Sequence, residues 1–190
     1  MVLSLRDWGV VRARSRHRLL RAKRVLARGT FSAIFDGSRA DTVLKLTLDR
    51  SQYVYMTDSL SPQGAYKPRL IEDFGAIGQT TQGHELYLIE VERLEKLPRG
   101  NAAARVARRV VKHFWQSGCK ELPCEESAVK ELDAGFAEFL SDLHAFITNF
   151  DFRFDAKVGS NFLYRSSENQ LVVSDPVFDA ELLAEALKRH

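Results

Sequence analysis

"FDFRFDAKVGSNFLYRSSENQLVVSDPVFD", residues 150–179, sets acidic and amide side chains among residues that otherwise belong in a core. "FLYR" and "QLVV" are short, apolar and rich in β-branched or aromatic residues, and "SSEN" between them is turn chemistry, so the pair reads as a β-hairpin. Asp155 and Asn161 fall before the first strand and Asp175 falls just after the second. A hairpin carries both of those positions to the same end. A buried carboxylate is costly unless it is paired, hydrogen-bonded or bound to a metal, so this end of the hairpin is where chemistry is expected.

Working outward, residues 126–150, "ESAVKELDAGFAEFLSDLHAFITNF", repeat apolar side chains at spacings of three and four. Leu132, Phe136, Phe139, Leu140, Leu143, Phe146, Ile147 and Phe150 form one stripe of an amphipathic helix about six turns long. His144 lies beside that stripe and reads as a packing residue. Upstream, "NAAARVARRVVKHFWQSG" (101–118) reads as a helix with an asparagine cap and a glycine stop. Its Arg105, Arg108, Arg109 and Lys112 fall on one face, read as solvated surface. Downstream, residues 179–190 read as a closing helix.

The N-terminal half has strand texture. "VLARGTFSAIF" (25–35) and "TVLKLTL" (42–48) flank the turn run "DGSRAD". "RSQYVYMTDSL" (50–60) reads as a short helix broken by Pro62, Gly64 and Pro68. "LIEDFGAI" and "HELYLIEVERL" form a second strand pair around "GQTTQG". Strands first and helices after predict an α+β protein of two layers or lobes. The expected division is an arm at 1–24, a β-rich lobe at 25–97 and a smaller helical lobe at 98–190.

The 190 residues are 45% hydrophobic and 28% charged, ordinary globular material. No apolar run approaches the ~20 residues of a membrane span. Cys119 and Cys124 lack a second pair or a histidine cluster, which argues against structural zinc and for a reducing compartment. The net charge of +3 hides an asymmetry. Residues 6–28 contain nine Arg and Lys against Asp7 alone, a basic arm that suits nucleic acid or an acidic protein surface.

Two further features carry chemistry. In "ARGTFSAIF", Gly29 among the small residues Ala27, Ser32 and Ala33 lets a strand-turn-strand backbone approach a ligand, and its N–H groups suit phosphate oxygens. Lys45, between Leu44 and Leu46, points to the opposite face of its strand from both leucines. At the late hairpin, two oxygen donors near a triphosphate make a Mg²⁺ site, since that ion takes hard ligands and keeps substrate phosphates in its shell. A third carboxylate orients an attacking hydroxyl.

In order, "ARGTFSAI", "VLKL", "LYLIEVERL", "FDAKVGSNFL" and "VVSDPV" resemble the glycine-rich loop, third-strand lysine, hinge strand, catalytic loop and metal motif of the protein-kinase-like family. The nearest resemblance is to the early serine/threonine kinases of T-odd coliphages, and it runs from about residue 25 to 180. It implies a minimal protein-kinase-like α+β fold, with a small β-rich N-lobe and a reduced helical C-lobe holding the catalytic-loop hairpin. Under it, Ala27, Gly29, Thr30, Phe31 and Ser32 cover the phosphates of ATP, Lys45 holds the α- and β-phosphates, and the backbone near Glu90 and Glu92 pairs with adenine. Asp155 is the base, Lys157 faces the transferred phosphoryl group, and Asn161 and Asp175 hold Mg²⁺.

The implied activity is ATP-dependent phosphorylation of serine or threonine in host proteins, with RNA polymerase or RNA-processing enzymes as targets in the bacterial host cytoplasm. Nucleic acid is a further expected partner through residues 6–28, and no membrane is. Three departures mark the chain. Asp155 and Asn161 are six residues apart where kinases commonly have five, "FRFD" replaces His-Arg-Asp, and the 50–60 helix has no glutamate for Lys45, Asp58 being the nearest acid. These keep open a pseudokinase that inhibits a host protein by binding, and a nucleic-acid-binding protein built on the arm.

Overall fold

A computed structural model describes residues 17–80, 82–116 and 134–188. Most of the basic arm, Trp8, Cys119, Cys124 and Leu132 lie outside these residues. The chain divides into two compact units. The first comprises residues up to 57, 69–93 and 179 onward, and the second comprises 58–68 and 94–178. The expected boundary at 97/98 thus falls at 93/94, and the last helix belongs to the first unit, because its apolar side packs on that unit's sheet.

The first unit is built on a five-stranded antiparallel sheet. Its strands are β1 (Val25–Arg28), β2 (Ser32–Asp36), β3 (Thr42–Thr47), β4 (Leu70–Gln79) and β5 (Glu85–Glu92), in the order β1-β2-β3-β5-β4. Helix α1 (Arg50–Thr57) follows β3. Asp49 starts α1 by accepting from the backbone N–H of Ser51 at 2.9 Å and from its hydroxyl at 2.6 Å. The alternation of β2 and β3 sends Ala33, Phe35, Leu44 and Leu46 to one face. There they meet Leu182 and Ala186 of the C-terminal helix (Ala180–Lys188, α5 below). Asp179 caps that helix, accepting from the N–H groups of Glu181 at 2.8 Å and Leu182 at 3.2 Å.

The end of the arm expected at 1–24 is part of this unit. Leu20 is fully buried in the same core, Lys23 donates to the carbonyl of Gly37, and Arg24 pairs with Asp36 at 3.1 Å. The β2–β3 turn requires glycine at its entry: a Cβ on Gly37 would lie 2.6 Å from the carbonyl carbon of Thr42. At the other end, the "GQTTQG" turn closes through Thr80 N–H to the carbonyl of His84 at 2.8 Å, with Gly83 at φ +88.

The second unit joins helix α2 (Ala102–Gln116) and helix α3 (Ala134–Asn149) to a small three-stranded sheet. That sheet orders β6 (Glu95–Lys96), β8 (Phe162–Arg165) and β9 (Gln170–Val173). A separate ladder pairs β7 (Arg153–Phe154) with β10 (Val177–Phe178). Asn101 caps α2 by accepting from Ala104 N–H at 2.8 Å. The predicted stripe of α3 is buried through Phe136, Phe139, Leu140, Leu143 and Phe146, while Ile147 and Phe150 are half-buried. At ~2–3 kcal/mol for each large apolar side chain taken from water, this stripe alone accounts for the helix's docking.

Helix α3 ends in a Schellman motif. Phe152 N–H donates to the carbonyl of Ile147 at 3.0 Å and Asp151 N–H to that of Thr148 at 3.4 Å, with Asp151 at φ +52. A left-handed position held by a side chain favours glycine. Asp151→Gly is therefore expected to raise stability by about 0.5–1 kcal/mol, read by urea denaturation. The ion pair lost to Arg153 is solvent-exposed on both sides and offsets little of this. A fall in the denaturation midpoint would show the turn to be held by the aspartate itself.

Candidate functional site

The late hairpin forms as its sequence predicts, and its end gathers the residues of interest. β8 and β9 pair from Phe162 opposite Val173 to Arg165 opposite Gln170. Asn169, at φ 53, closes the turn by donating its N–H to the carbonyl of Ser166 at 3.3 Å. The ladder runs one step further at the open end, where Ser174 N–H donates to the carbonyl of Asn161 at 2.8 Å. The short β7–β10 ladder then brings Asp155 N–H to the carbonyl of Pro176 at 2.7 Å. Two loops, 155–161 and 174–176, are in this way stitched to each other by main-chain bonds. Asp155, Lys157, Asn161 and Asp175 all lie on these two joined loops.

The sixth residue in the Asp155–Asn161 interval is absorbed by a single helical turn, α4 (Val158–Asn161). Asn161 N–H bonds the carbonyl of Lys157 at 3.1 Å, and Lys157 N–H bonds that of Asp155 at 2.9 Å. The Asn161 side chain, 2% exposed, turns back and donates through Nδ2 to the carbonyl of Asp155 at 2.7 Å. With Nδ2 donating, Oδ1 is the atom of that amide that would coordinate a metal. Lys157 reaches Asp155 Oδ2 at 3.4 Å, the lysine mostly exposed and the aspartate a quarter exposed.

The donor chemistry at this end fits Mg²⁺. An amide oxygen and a carboxylate are hard ligands, and an octahedral shell left incomplete by protein is the usual setting for that ion with substrate phosphates. Among the described residues, no group of three or more His, Cys, Asp and Glu side chains gathers to hold a metal on its own.

In the first unit, Lys45 stands on β3 directly across from Ile34 of β2 and Ile89 of β5, on the face opposite Leu44 and Leu46, and is 7% exposed. The β1–β2 turn is closed by Gly29 N–H donating to the carbonyl of Ser32 at 2.8 Å, so that donor is used within the hairpin. Ala27 and Gly29 are exposed and Thr30 half-buried. Phe31 and Ser32 are buried, and Phe31 packs in the sheet core while its carbonyl accepts from Leu48 N–H at 3.0 Å. Phe31 thus anchors the turn to the end of β3.

Glu90 and Glu92 have tasks that sequence reasoning missed. Glu90 lies inside the ladder, opposite Leu44 on one side and Glu72 on the other. Its carboxylate accepts from Ser38 N–H at 2.7 Å, from the Ser38 hydroxyl at 2.7 Å, and from the Thr42 hydroxyl, tying down the β2–β3 turn. Burial alone would raise its pKa, yet the bonds from Thr42 and Ser38 outweigh burial and hold it below the usual value. Glu92 N–H donates to the carbonyl of Arg69 at 3.0 Å, and its Oε1 accepts from Arg69 N–H at 2.9 Å. These backbone donors are engaged inside the sheet.

Helix α1 has no acidic residue. Asp58 shapes the turn after it, accepting from Leu60 N–H at 2.8 Å. Arg165 gave no signal in the sequence, yet it is 5% exposed and donates to the carbonyls of Ala65 at 2.7 Å and Lys67 at 3.1 Å. No helix among the described residues is long and apolar enough to cross a membrane. No protein-family model matches the chain, and no curated protein matches it.

Proposed function

We propose that the protein is a reduced serine/threonine protein kinase of the phage type, passing the γ-phosphoryl group of ATP to hydroxyls of host proteins. The observation that carries this reading is the stitched pair of loops in the second unit. There a carboxylate (Asp155), an amide (Asn161) and a second carboxylate (Asp175) are held at one end of a hairpin, with a lysine on the first carboxylate. Supporting it, the first unit carries a nearly buried lysine on its third strand, the position at which protein kinases hold the nucleotide phosphates.

In this reading Asp155 accepts the proton of the substrate hydroxyl as its oxygen bonds the γ-phosphorus and the bond from that phosphorus to the β–γ bridging oxygen breaks. ADP is the leaving group. Lys157 lies beside Asp155, where its ammonium balances charge on the transferred group. Asn161 and Asp175 would hold Mg²⁺, which supplies neutralisation of phosphate charge. The chain's work is alignment and electrostatics, in keeping with the loose transition state of phosphoryl transfer.

A second reading, a binder of a host protein without catalysis, is favoured by two observations. Gly29 N–H is committed to its own hairpin, and α1 offers no acidic partner for a lysine. Thermal denaturation separates the readings, because a ligand bound by the folded state alone raises its stability. At a hundred times its Kd, Mg-ATP is expected to stabilise the wild type by about 2.7 kcal/mol. Asp175→Asn is expected to remove the Mg²⁺-dependent part of that gain. Absence of any stabilisation by Mg-ATP, with no label transferred from γ-labelled ATP to protein, would leave the binder reading standing.

A further inference from the structure

The outer face of α2 joins a cationic stripe to an exposed indole. Arg105, Arg108, Arg109 and Lys112 recur at spacings of three and four, are all exposed, and lie opposite the buried side of the helix, which is formed by Ala104, Ala107, Val110 and Phe114. Trp115, three residues beyond Lys112, continues the same face and is 62% exposed. From Arg105 to Trp115 the stripe runs about 15 Å along the helix. Arg105 also donates to the carbonyl of Gly100 at 2.6 Å. None of the four cations forms an ion pair with a carboxylate among the described residues.

Such a face is costly to keep. The helix has no acidic residue at all. Its pairs Arg105–Arg109 and Arg108–Lys112 are like charges four apart, which destabilise a helix, and Arg105 sits near the positive end of the helix dipole. A face meant only for solvent interleaves Glu with Lys or Arg and gains from the pairing. The chain beyond residue 28 has 19 basic and 24 acidic residues, so the stripe belongs to a stretch of sequence that is acidic in balance.

We propose that this face docks single-stranded nucleic acid, its phosphates along the four cations and one base stacked on Trp115. A duplex keeps its bases stacked inside and offers no free face to the indole, whereas a single strand does. An acidic protein would answer the charge as well, and polyglutamate is the control that separates it. The buried side of α2 sets Phe114 edge-on to Phe154 of β7, ring centroids 4.8 Å apart, so the docking helix packs against the strand that leads into Asp155. The inference rests on α2 alone and stands whether or not the protein transfers phosphate.

The test uses the full chain with Trp8→Phe, which leaves Trp115 as the only indole. A fifteen-nucleotide oligouridylate is expected to quench its emission. Replacing Arg105, Arg108, Arg109 and Lys112 together by Gln is expected to make the plot of log affinity against log salt shallower by about 2–3, at ~0.7 per phosphate contact on a single strand. Far-UV circular dichroism checks that this variant folds. Independently, Trp115→Phe in the otherwise unaltered chain is expected to weaken binding of a labelled oligouridylate about tenfold. Unchanged emission, an unchanged salt slope, or equal quenching by polyglutamate of matched charge overturns the proposal, the last two pointing to the N-terminal arm and to an acidic protein partner respectively.

Discussion

If the protein transfers phosphate as proposed, Asp155→Asn is expected to lower the rate of that transfer by about 10²–10⁴ while leaving any stabilisation by Mg-ATP in place. The substitution keeps the volume and planarity of the side chain and removes only the charge and the basic oxygen. The backbone of residue 155 is held independently of its side chain. Its N–H donates to Pro176, and its carbonyl accepts from Lys157 N–H and from Asn161 Nδ2. The loop should therefore keep its shape, and the Asn161–Asp175 end should keep its oxygens. The lost ion pair to Lys157 involves a lysine that is mostly in water, so its contribution to stability is small. A drop in activity with an unaltered melting temperature is then a chemical effect. Transfer of label from γ-labelled ATP at the wild-type rate would remove Asp155 from the mechanism.

Much of the architecture behind that prediction is legible in the sequence, for a physical reason. α3 and α5 are long and periodic enough for one apolar face to stand out against the other, β8 and β9 show by their apolar, β-branched and aromatic composition around a turn, and Asn101 announces a helix start by its cap chemistry. The paired strands of two residues, Glu95–Lys96, Arg153–Phe154 and Val177–Phe178, have no period to read. Yet the ladder between the last two is what fastens Asp155 to Pro176. "VGSN" has the composition of a loop, and becomes a helical turn because the β8–β9 ladder fixes Asn161 at one end and Asp155 is fixed at the other. In sequence Glu90 reads as a residue of the strand leading into the hinge. Its buried carboxylate is satisfied by Ser38 and Thr42, which are distant in sequence and invisible to any local pattern. The same limit hides Arg165, since an arginine inside a strand pattern reads as solvent-facing.

Arg165→Met is expected to destabilise the second unit by roughly 2–4 kcal/mol, because it strips charged donors from two carbonyls that β8 cannot otherwise reach. Arg165 carries the segment 58–68: its guanidinium forks to Ala65 and Lys67, while Val173 N–H bonds the carbonyl of Tyr66 at 2.7 Å in between. Tyr66 in turn packs on Phe136 and Phe139 of α3, ring centroids at 5.0 Å and 5.7 Å. Methionine fills a similar volume, so the loss isolates the hydrogen bonds from a cavity effect. Glu168, the ionic partner at 3.3 Å, is two-fifths exposed and can return to water, so no charge is stranded by the change. The segment also holds Lys67, where burial pushes the ammonium down to about 8, with Asp58 acting in the opposite direction. Hydrogen exchange locates the effect, with the Val173 amide expected to lose protection ahead of amides in the first unit's sheet. Lysine at 165 should recover only part of the loss, since a single ammonium cannot reproduce the planar fork that meets both carbonyls. Unchanged Val173 protection and an unchanged melting temperature in Arg165→Met would mean that Tyr66, through its ring packing and its bond from Val173 N–H, holds the 58–68 segment without Arg165.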